Sequence, residues 1–522
     1  MPMARDGKTE PGRRTMTCDF MGRLDRLTTA VYPYDLFDDE GEAPLFSPRS
    51  WSSTFPAVMG ISRLVVVVLR PYVAVGLFGL AVIGYASAYC AAAGAVLLGY
   101  LCVFDKLFGV AMLGHPPPLQ PGLYCKRSPR TDAVVSMVPA LRHPHYKGTP
   151  WVIGGDVATL LPYLAFHLPT PTFIRRWLSV DADEPPRRKV RHESVHILNG
   201  AADFDGRKNG NIGYRTTPCG DKVDCRSEAI ALDLALPEAG LDSSKPFYVM
   251  LHGLNGGSAE AYVLDFTKHA LERGSGVCIM VTRGCMDTPV RGENIFHGAR
   301  ISDAKATVQA LRQALPSETP LAMIGYSMGG IVAANYAACT GAESGLSCCV
   351  SMSGSLDVRA PASNVSFKHS LRVWQPILAN GLKENYVVPN KRKMAARRVG
   401  IDLQIVERCK TVFDIDTNLV APFNGYPSVD DYYIDMSAAA EGKISGLKTP
   451  LLAVSAVDDP ITTPERSPID EMAQVDNLYF LLTSKGGHVG WPMGWLPWQK
   501  KWLWMSSTAL DFCEAIVATG DL

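Results

Sequence analysis

The 522-residue chain lacks an excess of either charge, because 51 basic and 51 acidic side chains leave its formal net charge at zero. A protein that neutralises nucleic-acid phosphates needs a strongly basic face, so the composition predicts no nucleic-acid partner. The 13 cysteines include no Cys-x-x-Cys pair and no Cys/His group with zinc spacing. The sequence therefore predicts no zinc site, and most of the cysteines read as small apolar core residues.

Charged side chains are also missing from residues 71–104. This run exceeds the roughly 20 apolar residues that cross a ~30 Å hydrocarbon core, so we predict a transmembrane segment in a single-pass protein of an endomembrane such as the endoplasmic reticulum. Three arginines precede the run and only Lys106 closely follows it, which puts the N-terminus in the cytosol and the large C-terminal part across the membrane. The small residues 91–94 also permit a re-entrant hairpin, which would reverse that orientation.

The rest of the chain divides into segments of different composition. Residues 1–60 are polar and punctuated by Pro and Gly, and they predict a flexible tail, whereas residues 115–185 predict a linker and an N-terminal extension. From 186 to 515, short β-branched runs alternate with helix-like segments, which predicts an α/β fold with a mostly parallel sheet and helices on both faces. The interval 356–447 is too long for one crossover connection, so we expect an inserted helical cap over the carboxyl edge of the sheet.

Seven runs have the composition of buried strands, and two of the intervals between them are helix-like. The predicted strands are Ala229–Ala235, Phe247–Leu251, Val277–Thr282, Leu321–Gly325, Cys348–Met352, Leu451–Ser455 and Leu478–Leu482. The predicted helices are Ile301–Ala314 and Gly329–Thr340.

A candidate nucleophile lies in Gly325-Tyr326-Ser327-Met328-Gly329. In an α/β-hydrolase this pattern forms the nucleophile elbow, a sharp strand-to-helix turn that holds the serine above the sheet. The turn strains the backbone at the serine, so the residues two before and two after it must be small. The pentapeptide alone is a weak signal, but here it follows a predicted strand and opens a predicted helix, as the mechanism requires. We therefore predict that Ser327 is a nucleophile.

A serine nucleophile needs a base, and the base needs an orienting acid, in the chain order Ser, Asp or Glu, His. His488 follows the last predicted strand in a glycine-flanked loop, so it is the predicted base. Asp458 and Asp459 both lie in the turn after the preceding strand, and only one can reach the imidazole. Counting from Ala456 favours Asp459, which leaves the other aspartate to shape the turn.

The remaining requirement is an oxyanion hole. The loop His252-Gly253-Leu254-Asn255-Gly256-Gly257 follows the strand Phe247–Leu251, in the position that supplies a backbone N–H in this fold. We predict that the amides of Leu254 and Met328 are the two donors. His252 reads as a residue that fixes this loop rather than as a second base.

Several spaced motifs resemble those of AB-hydrolase family 4, which includes YheT-type esterases and plant embryogenesis-associated proteins. They are Gly154–Pro162, His252–Ser258, Arg283–Cys285, Gly325–Gly330, Phe413-Asp414, Gly425-Tyr426, Asp431–Tyr433, Asp458–Pro460 and Gly486–His488. The resemblance covers about residues 148–510. It implies a triad at Ser327, Asp459 and His488 and, for eukaryotic members, a single membrane pass with esterase or lipase activity on substrates such as monoacylglycerols and phospholipids. The N-terminal 115 residues have no counterpart in that pattern.

Together, these patterns predict a membrane-anchored serine hydrolase that cleaves carboxylic esters, especially lipid esters, through an acyl-serine intermediate. This mechanism needs no metal and no organic cofactor, and its expected partners are an ester substrate and the bilayer. Two alternatives stay open. One is an acyltransferase, in which an alcohol intercepts the acyl-enzyme in place of water, and the other is a catalytically silent lipid-binding protein. The sequence does not set the oligomeric state.

Overall fold

The computed structural model describes residues 11–30, 119–169, 171–180, 214–216, 222–224, 228–286, 288, 290, 295–359, 365–397, 401–462 and 469–520. The predicted membrane segment 71–104 lies outside these residues. Among the residues that are described, no helix is both long enough and apolar enough to cross a bilayer.

A nine-stranded sheet organises the described part of the chain. The strands, including a separate hairpin of β3 and β4, are β1 (Gly122–Cys125), β2 (Ile174–Val180), β3 (Tyr214–Thr216), β4 (Lys222–Asp224), β5 (Glu228–Ala235), β6 (Phe247–Leu251), β7 (Val277–Val281), β8 (Leu321–Tyr326), β9 (Cys348–Met352), β10 (Leu451–Ala456) and β11 (Leu478–Thr483). Their order in the sheet is β1-β11-β10-β9-β8-β6-β7-β5-β2.

The six central strands are parallel to one another. Every residue of β6, β7, β8, β9, β10 and β11 is buried, as expected for parallel strands that are covered on both faces. At the edges, β1 is antiparallel to β11, β5 is antiparallel to β7, and β2 is antiparallel to β5. The predicted α/β fold with a mostly parallel sheet is confirmed.

Helices cover both faces of this sheet. They are α1 (Pro11–Leu24), α2 (Pro129–Met137), α3 (Pro139–Arg142), α4 (Gly155–Ala165), α5 (Ala261–Glu272), α6 (Ser302–Ala314), α7 (Met328–Thr340), α8 (Val365–Arg372), α9 (Trp374–Leu382), α10 (Val388–Arg397), α11 (Leu403–Arg408), α12 (Val412–Ile415), α13 (Ala421–Phe423), α14 (Val429–Met436), α15 (Ile469–Met472), α16 (Pro497–Lys500) and α17 (Leu503–Thr519). One apolar core joins the sheet to α1, α6 and α7, and a second core joins it to α2, α5 and α17.

The prediction of a flexible tail over residues 1–60 is wrong for residues 11–30. Helix α1 packs on the sheet through Phe20 and Leu24, which are 1% and 0% exposed. The Thr17 hydroxyl accepts a hydrogen bond from the Leu241 amide at 2.9 Å, and Arg13 pairs with Asp242 at 2.9 Å. Apolar burial and two polar contacts therefore hold this segment on the main sheet, although its sequence is mostly polar.

The assignment of residues 115–185 to a linker and extension outside the 186–515 domain is also wrong. Strands β1 and β2 complete the two edges of the main sheet. Strand β2 carries two arginines, and one of them, Arg175, binds the buried carboxylate of Asp233 through two contacts of 2.7 Å. This ion pair balances the buried charge of Asp233 on the neighbouring strand β5.

Between β9 and β10 the described chain is largely helical. Two π-helical turns interrupt the series of helices α8 to α14: Lys383–Val387 lies between α9 and α10, and Asp416–Val420 lies between α12 and α13. A 3₁₀ segment, Ala440–Gly446, precedes β10. Side chains of this insertion share an apolar cluster with Leu254 and Met328, which belong to the carboxyl edge of the sheet. The insertion therefore forms a cap over that edge.

Candidate active site

The candidate nucleophile lies at a strained turn between β8 and α7. Ser327 has φ 52° and ψ −118°, outside the regions that non-glycine residues prefer, and such strain costs on the order of 1–3 kcal/mol. A Cβ atom at Gly325 would lie 2.1 Å from the Gly329 carbonyl oxygen, and one at Gly329 would lie 2.2 Å from the Leu251 carbonyl oxygen. Close backbone packing therefore accounts for both glycines of the motif.

The structure brings the three sequence-predicted residues together in one hydrogen-bonded chain. His488 Nε2 lies 2.7 Å from Ser327 Oγ, and His488 Nδ1 lies 2.8 Å from Asp459 Oδ2. The side chains of His488 and Asp459 are 5% and 0% exposed. If the imidazole carries its proton at Nδ1, a tautomer that the carboxylate favours, Nε2 can accept a hydrogen bond from the serine hydroxyl.

The two adjacent aspartates have different contacts. Asp459 Oδ1 accepts the amides of Ile461 and Thr462, each at 2.8 Å, and Oδ2 accepts the Thr462 hydroxyl at 2.7 Å. Asp458 instead accepts the Gly487 amide at 2.8 Å. Asp459 therefore contacts the imidazole, and Asp458 holds the loop that carries it. Burial raises the pKa of Asp458 to about 7, although the Gly487 hydrogen bond opposes this shift.

Helix α4 supports the loop that carries His488, which we call the histidine loop. The Thr159 hydroxyl accepts the His488 amide at 2.8 Å and donates to the Gly155 carbonyl at 2.7 Å. A Cβ atom at Gly155 would lie 1.6 Å from the Asp458 carbonyl oxygen, so the helix also packs against the turn that contains Asp458 and Asp459. Sequence reasoning noted this stretch only as part of a family motif and gave Thr159 no role. The available signal was a hydroxyl side chain four residues after a pair of glycines in that motif.

A second support missed from the sequence comes from Ser353, which follows β9. Its hydroxyl accepts the Val489 amide at 2.9 Å, and its own amide donates to the Val454 carbonyl at 2.9 Å. Two consecutive backbone amides at the imidazole are thus fixed, because Thr159 binds the amide of His488 and Ser353 binds the amide of Val489. No motif marked Ser353, since its role depends on strands β9 and β10 being neighbours.

The predicted oxyanion loop follows β6. His252 is buried, its Nδ1 lies 2.7 Å from the Gly253 carbonyl, and its Nε2 accepts the Thr282 amide at 3.2 Å. Burial lowers the pKa of His252 to about 4, so the imidazole is neutral at pH 7. Its contacts with Gly253 and Thr282 fix the loop.

The two predicted donors flank the serine. Met328 is the first residue of α7, where an N–H has no partner within the helix. Leu254 is in the loop that starts with Gly253, whose Cβ position lies 3.3 Å from the Ser327 Cβ atom. Leu254 and Met328 also line the same cavity.

This cavity lies between the carboxyl edge of the sheet and the cap. Its lining is mainly apolar and aromatic, and it comprises Leu254, Phe296, His297, Met328, Leu382, Tyr386, Val387, Val412, Ile415, Asp416, Leu419, Val420 and Tyr432. Both π-helical turns of the cap contribute to it, which agrees with the frequent occurrence of such turns at functional sites.

Asp416 is a carboxyl group in this otherwise largely apolar wall. It accepts the Tyr433 hydroxyl at 2.9 Å, and burial raises its pKa to about 7. A group with this pKa donates or accepts hydrogen bonds near neutral pH. In the described residues, no group of three or more His, Cys, Asp or Glu side chains is placed to hold a metal ion.

Comparison with known proteins gives concordant results. Residues 248–490 match the family model described as alpha/beta hydrolase fold. The chain is 30% identical over 275 residues to the putative esterase YheT of Escherichia coli, covering 52% of this chain and 78% of that protein. It is 28% identical over 265 residues to a monoacylglycerol lipase of Saccharomyces cerevisiae, covering 49% of this chain and 57% of that protein. It is 27% identical over 283 residues to human phospholipase ABHD3, covering 53% and 66%. The chain thus spans less than two thirds of the yeast and human relatives.

Proposed function

Because the chain belongs to the α/β-hydrolase family that includes the putative esterase YheT, we propose that it is a serine hydrolase of carboxylic esters. The observation that carries this proposal is the chain of contacts from Ser327 Oγ through His488 to Asp459, at 2.7 and 2.8 Å, beside an apolar cavity. A serine, an imidazole and a carboxylate in this order activate a hydroxyl for attack on a carbonyl.

The geometry supports a two-step acyl transfer. His488 takes the Ser327 proton as Oγ attacks the ester carbonyl, and Asp459 stabilises the imidazolium that forms. The amides of Leu254 and Met328 bind the oxyanion, a contact worth on the order of 3 kcal/mol per donor. The imidazolium then protonates the leaving alcohol. Water, deprotonated by His488, attacks the acyl-serine and releases the acid, which restores the serine hydroxyl.

The proposed substrates are lipid esters. The apolar cavity suits an acyl chain, because each buried CH₂ group contributes about 0.8 kcal/mol. Asp416 offers one polar contact in that wall for a polar part of the substrate. The relatives named a monoacylglycerol lipase and a phospholipase support the same class.

We further propose that residues 71–104 insert into a membrane, and that they enter and leave it on the same side. Helix α1 precedes this segment and β1 follows it, yet both pack on one sheet. A single crossing would place a bilayer between α1 and the core that buries Phe20 and Leu24. These contacts favour the re-entrant hairpin over the single span.

The membrane topology has a direct test in microsomes that contain the full chain with one epitope at each terminus. A hairpin leaves both epitopes equally accessible to added protease before the membrane is dissolved. A single span protects one epitope and exposes the other, and that result would exclude the hairpin.

Labelling with a fluorophosphonate tests the nucleophile. We expect wild-type protein to be labelled, Ser327→Ala to remain unlabelled, and Ser317→Ala, a change at an exposed serine, to label normally. Equal labelling of wild type and Ser327→Ala would refute the assignment. Mass spectrometry of the products from a monoacylglycerol, with and without a short alcohol, then separates hydrolysis from transfer to the alcohol.

A further inference from the structure

Large apolar side chains are exposed in two segments of the surface near the histidine loop. Trp495 is 72% exposed, Leu496 44%, Trp498 43% and Ile153 42%, and half-buried Trp151 lies among them. We call these five residues the tryptophan patch. Exposed aromatic residues that cluster in this way mark an interaction surface more often than scattered single ones do.

Contacts between the two segments give the tryptophan patch a fixed shape. The Trp151 indole N–H donates to the Trp495 carbonyl at 2.8 Å, and the rings of Trp151 and Trp498 lie 6.4 Å apart. The Thr149 amide donates to the Pro492 carbonyl at 2.9 Å. The side chains are therefore presented by a braced pair of loops, and their exposure does not come from a loose terminus.

The two segments that carry the tryptophan patch contain only basic charges up to Asp156, whose carboxylate lies 2.9 Å from His369 Nε2. Residues 139–155 and 484–505 contain five Lys or Arg residues and no Asp or Glu. Lys147 precedes the glycine that pairs with Met493, and Lys500 ends the short helix that carries Trp498. Both lysines are exposed. Tryptophan beside lysine is the composition of surfaces that lie in the interfacial region of a bilayer with anionic lipids.

The tryptophan patch is also connected to the histidine loop. Ile153 lies two residues before α4, whose Thr159 holds the His488 amide, and Trp495 lies seven residues after His488. Both segments thus lead directly into elements that position the imidazole. A surface that docked here would lie beside the carboxyl edge of the sheet, where the cavity is.

We propose that the tryptophan patch and its lysines dock on the surface of a bilayer that contains anionic lipid. The indole rings enter the interfacial layer, and Lys147 and Lys500 contact the headgroup phosphates. This contact is separate from residues 71–104, and it sets the orientation of the catalytic edge against the lipid. Only the activity part of the following test rests on the proposed function.

Tryptophan fluorescence tests the contact without any assumption about catalysis. The full chain is reconstituted in vesicles of phosphatidylcholine and phosphatidylserine, with ordinary or brominated acyl chains, and wild type is compared with Trp495→Ser/Trp498→Ser. We expect bromine to quench at least half of the fluorescence that this double variant lacks. If that difference signal is not quenched, the tryptophans do not touch the bilayer and the proposal fails.

Hydrolysis rates supply the second readout. Against an ester embedded in anionic vesicles, Trp495→Ser/Trp498→Ser is expected to lose about 10-fold or more in rate, while hydrolysis of a water-soluble short-chain ester stays unchanged. Lys147→Glu/Lys500→Glu is expected to remove the stimulation by phosphatidylserine, about fivefold per lysine. The matched controls are Ile174→Ser and Lys245→Glu. Both change exposed residues near the amino ends of the parallel strands, opposite the carboxyl edge.

The outcomes separate the proposals. If wild type cleaves neither ester, the proposed function fails, and quenching still decides the docking. If the tryptophan variant loses equal activity on both esters, the effect lies in folding or chemistry, which contradicts docking. If the wild type dimerises in solution and this variant does not, a second copy occupies the patch and the bilayer proposal is overturned.

Discussion

Thr159 offers the sharpest test of how the scaffold positions the reactive imidazole. Its hydroxyl accepts the His488 amide at 2.8 Å and donates to the Gly155 carbonyl at 2.7 Å, and the residue is 1% exposed. Thr159→Val keeps the shape of the side chain but removes both hydrogen bonds. The buried His488 amide then has no acceptor from this side chain, which costs on the order of 1–3 kcal/mol.

The cost can appear in two measurable ways. If the histidine loop keeps its geometry, the protein loses about 1–3 kcal/mol of unfolding free energy, which lowers Tm by about 2–4 °C per kcal/mol for a domain of this size. If the loop shifts to find another acceptor, the triad is correctly assembled in a smaller fraction of molecules. The same energy then lowers kcat by about 5- to 150-fold, because each 1.36 kcal/mol is a factor of ten.

The assay measures the rate of fluorophosphonate labelling and the kcat and KM for a soluble ester, together with Tm, for wild type, Thr159→Val and Thr159→Ser. The serine variant keeps the hydroxyl, so it should recover most of the labelling rate. A loss in kcat with little change in KM identifies a positioning effect. If Thr159→Val matches wild type within twofold in kcat and within 1 °C in Tm, the reasoning is refuted.

Two further predictions concern the paired aspartates. Asp459→Asn should lower kcat by about 10⁴-fold, because the amide favours the wrong imidazole tautomer. Asp458→Asn should lower kcat by less than about tenfold, because the amide oxygen still accepts the hydrogen bond from Gly487. Similar losses of ester hydrolysis in the two variants would contradict the assignment. Burial raises the pKa of Asp458 to about 7, so the folded protein keeps a proton that the unfolded chain loses near pH 4. Its contribution to unfolding free energy is therefore present at low pH and is lost between about pH 4 and 7, by at most about 4 kcal/mol. His252, with its pKa lowered to about 4, changes the unfolding free energy with pH in the opposite direction. The test therefore compares the unfolding free energies of Asp458→Asn and wild type in urea as a function of pH. If the difference between the two proteins does not change with pH, the prediction is refuted.

Much of the central sheet could be predicted because its strands are buried on both faces. The predicted strand Leu321–Gly325 is observed as Leu321–Tyr326, and Leu451–Ser455 is observed as Leu451–Ala456. Continuous apolar runs between glycine-rich turns give a strong local signal for such strands. Chain order then brought Ser327, Asp459 and His488 to one edge, since the carboxyl ends of parallel strands meet there.

The parts that escaped prediction depend on contacts distant in sequence. Strand β2 reads as polar because of Arg175, whose charge is balanced by Asp233, 58 residues away. Helix α1 has few apolar residues, and its burial depends on a surface formed by elements more than 200 residues later. Thr159 and Ser353 gain their roles only when their neighbours fold beside them. Local patterns contain no record of such pairings, so the sequence predicts a tail where α1 folds and a linker and extension where β2 folds.

Residues 31–118 connect to the fold at two points, and the positions of these points bear on how a lipid would reach Ser327. Strand β1 begins at Gly122, which pairs with Leu482 near the carboxyl end of β11. Thr29 pairs with Trp177, which lies level with Ala231 and so with Val281, the last residue of β7. Both connections to residues 31–118 therefore lie toward the edge that carries the serine.

This placement has an energetic consequence for the proposed lipid substrates. Drawing an acyl chain of about ten CH₂ groups through water costs about 8 kcal/mol, at about 0.8 kcal/mol per group. An enzyme whose catalytic edge faced away from the bilayer would add that cost to its barrier, which corresponds to a rate lower by about 10⁶-fold. If the anchor and the tryptophan patch hold this edge against the lipid, the chain passes from bilayer to cavity without that exposure. Activity on vesicles should then fall when this edge is turned away from the bilayer, even though the triad is intact.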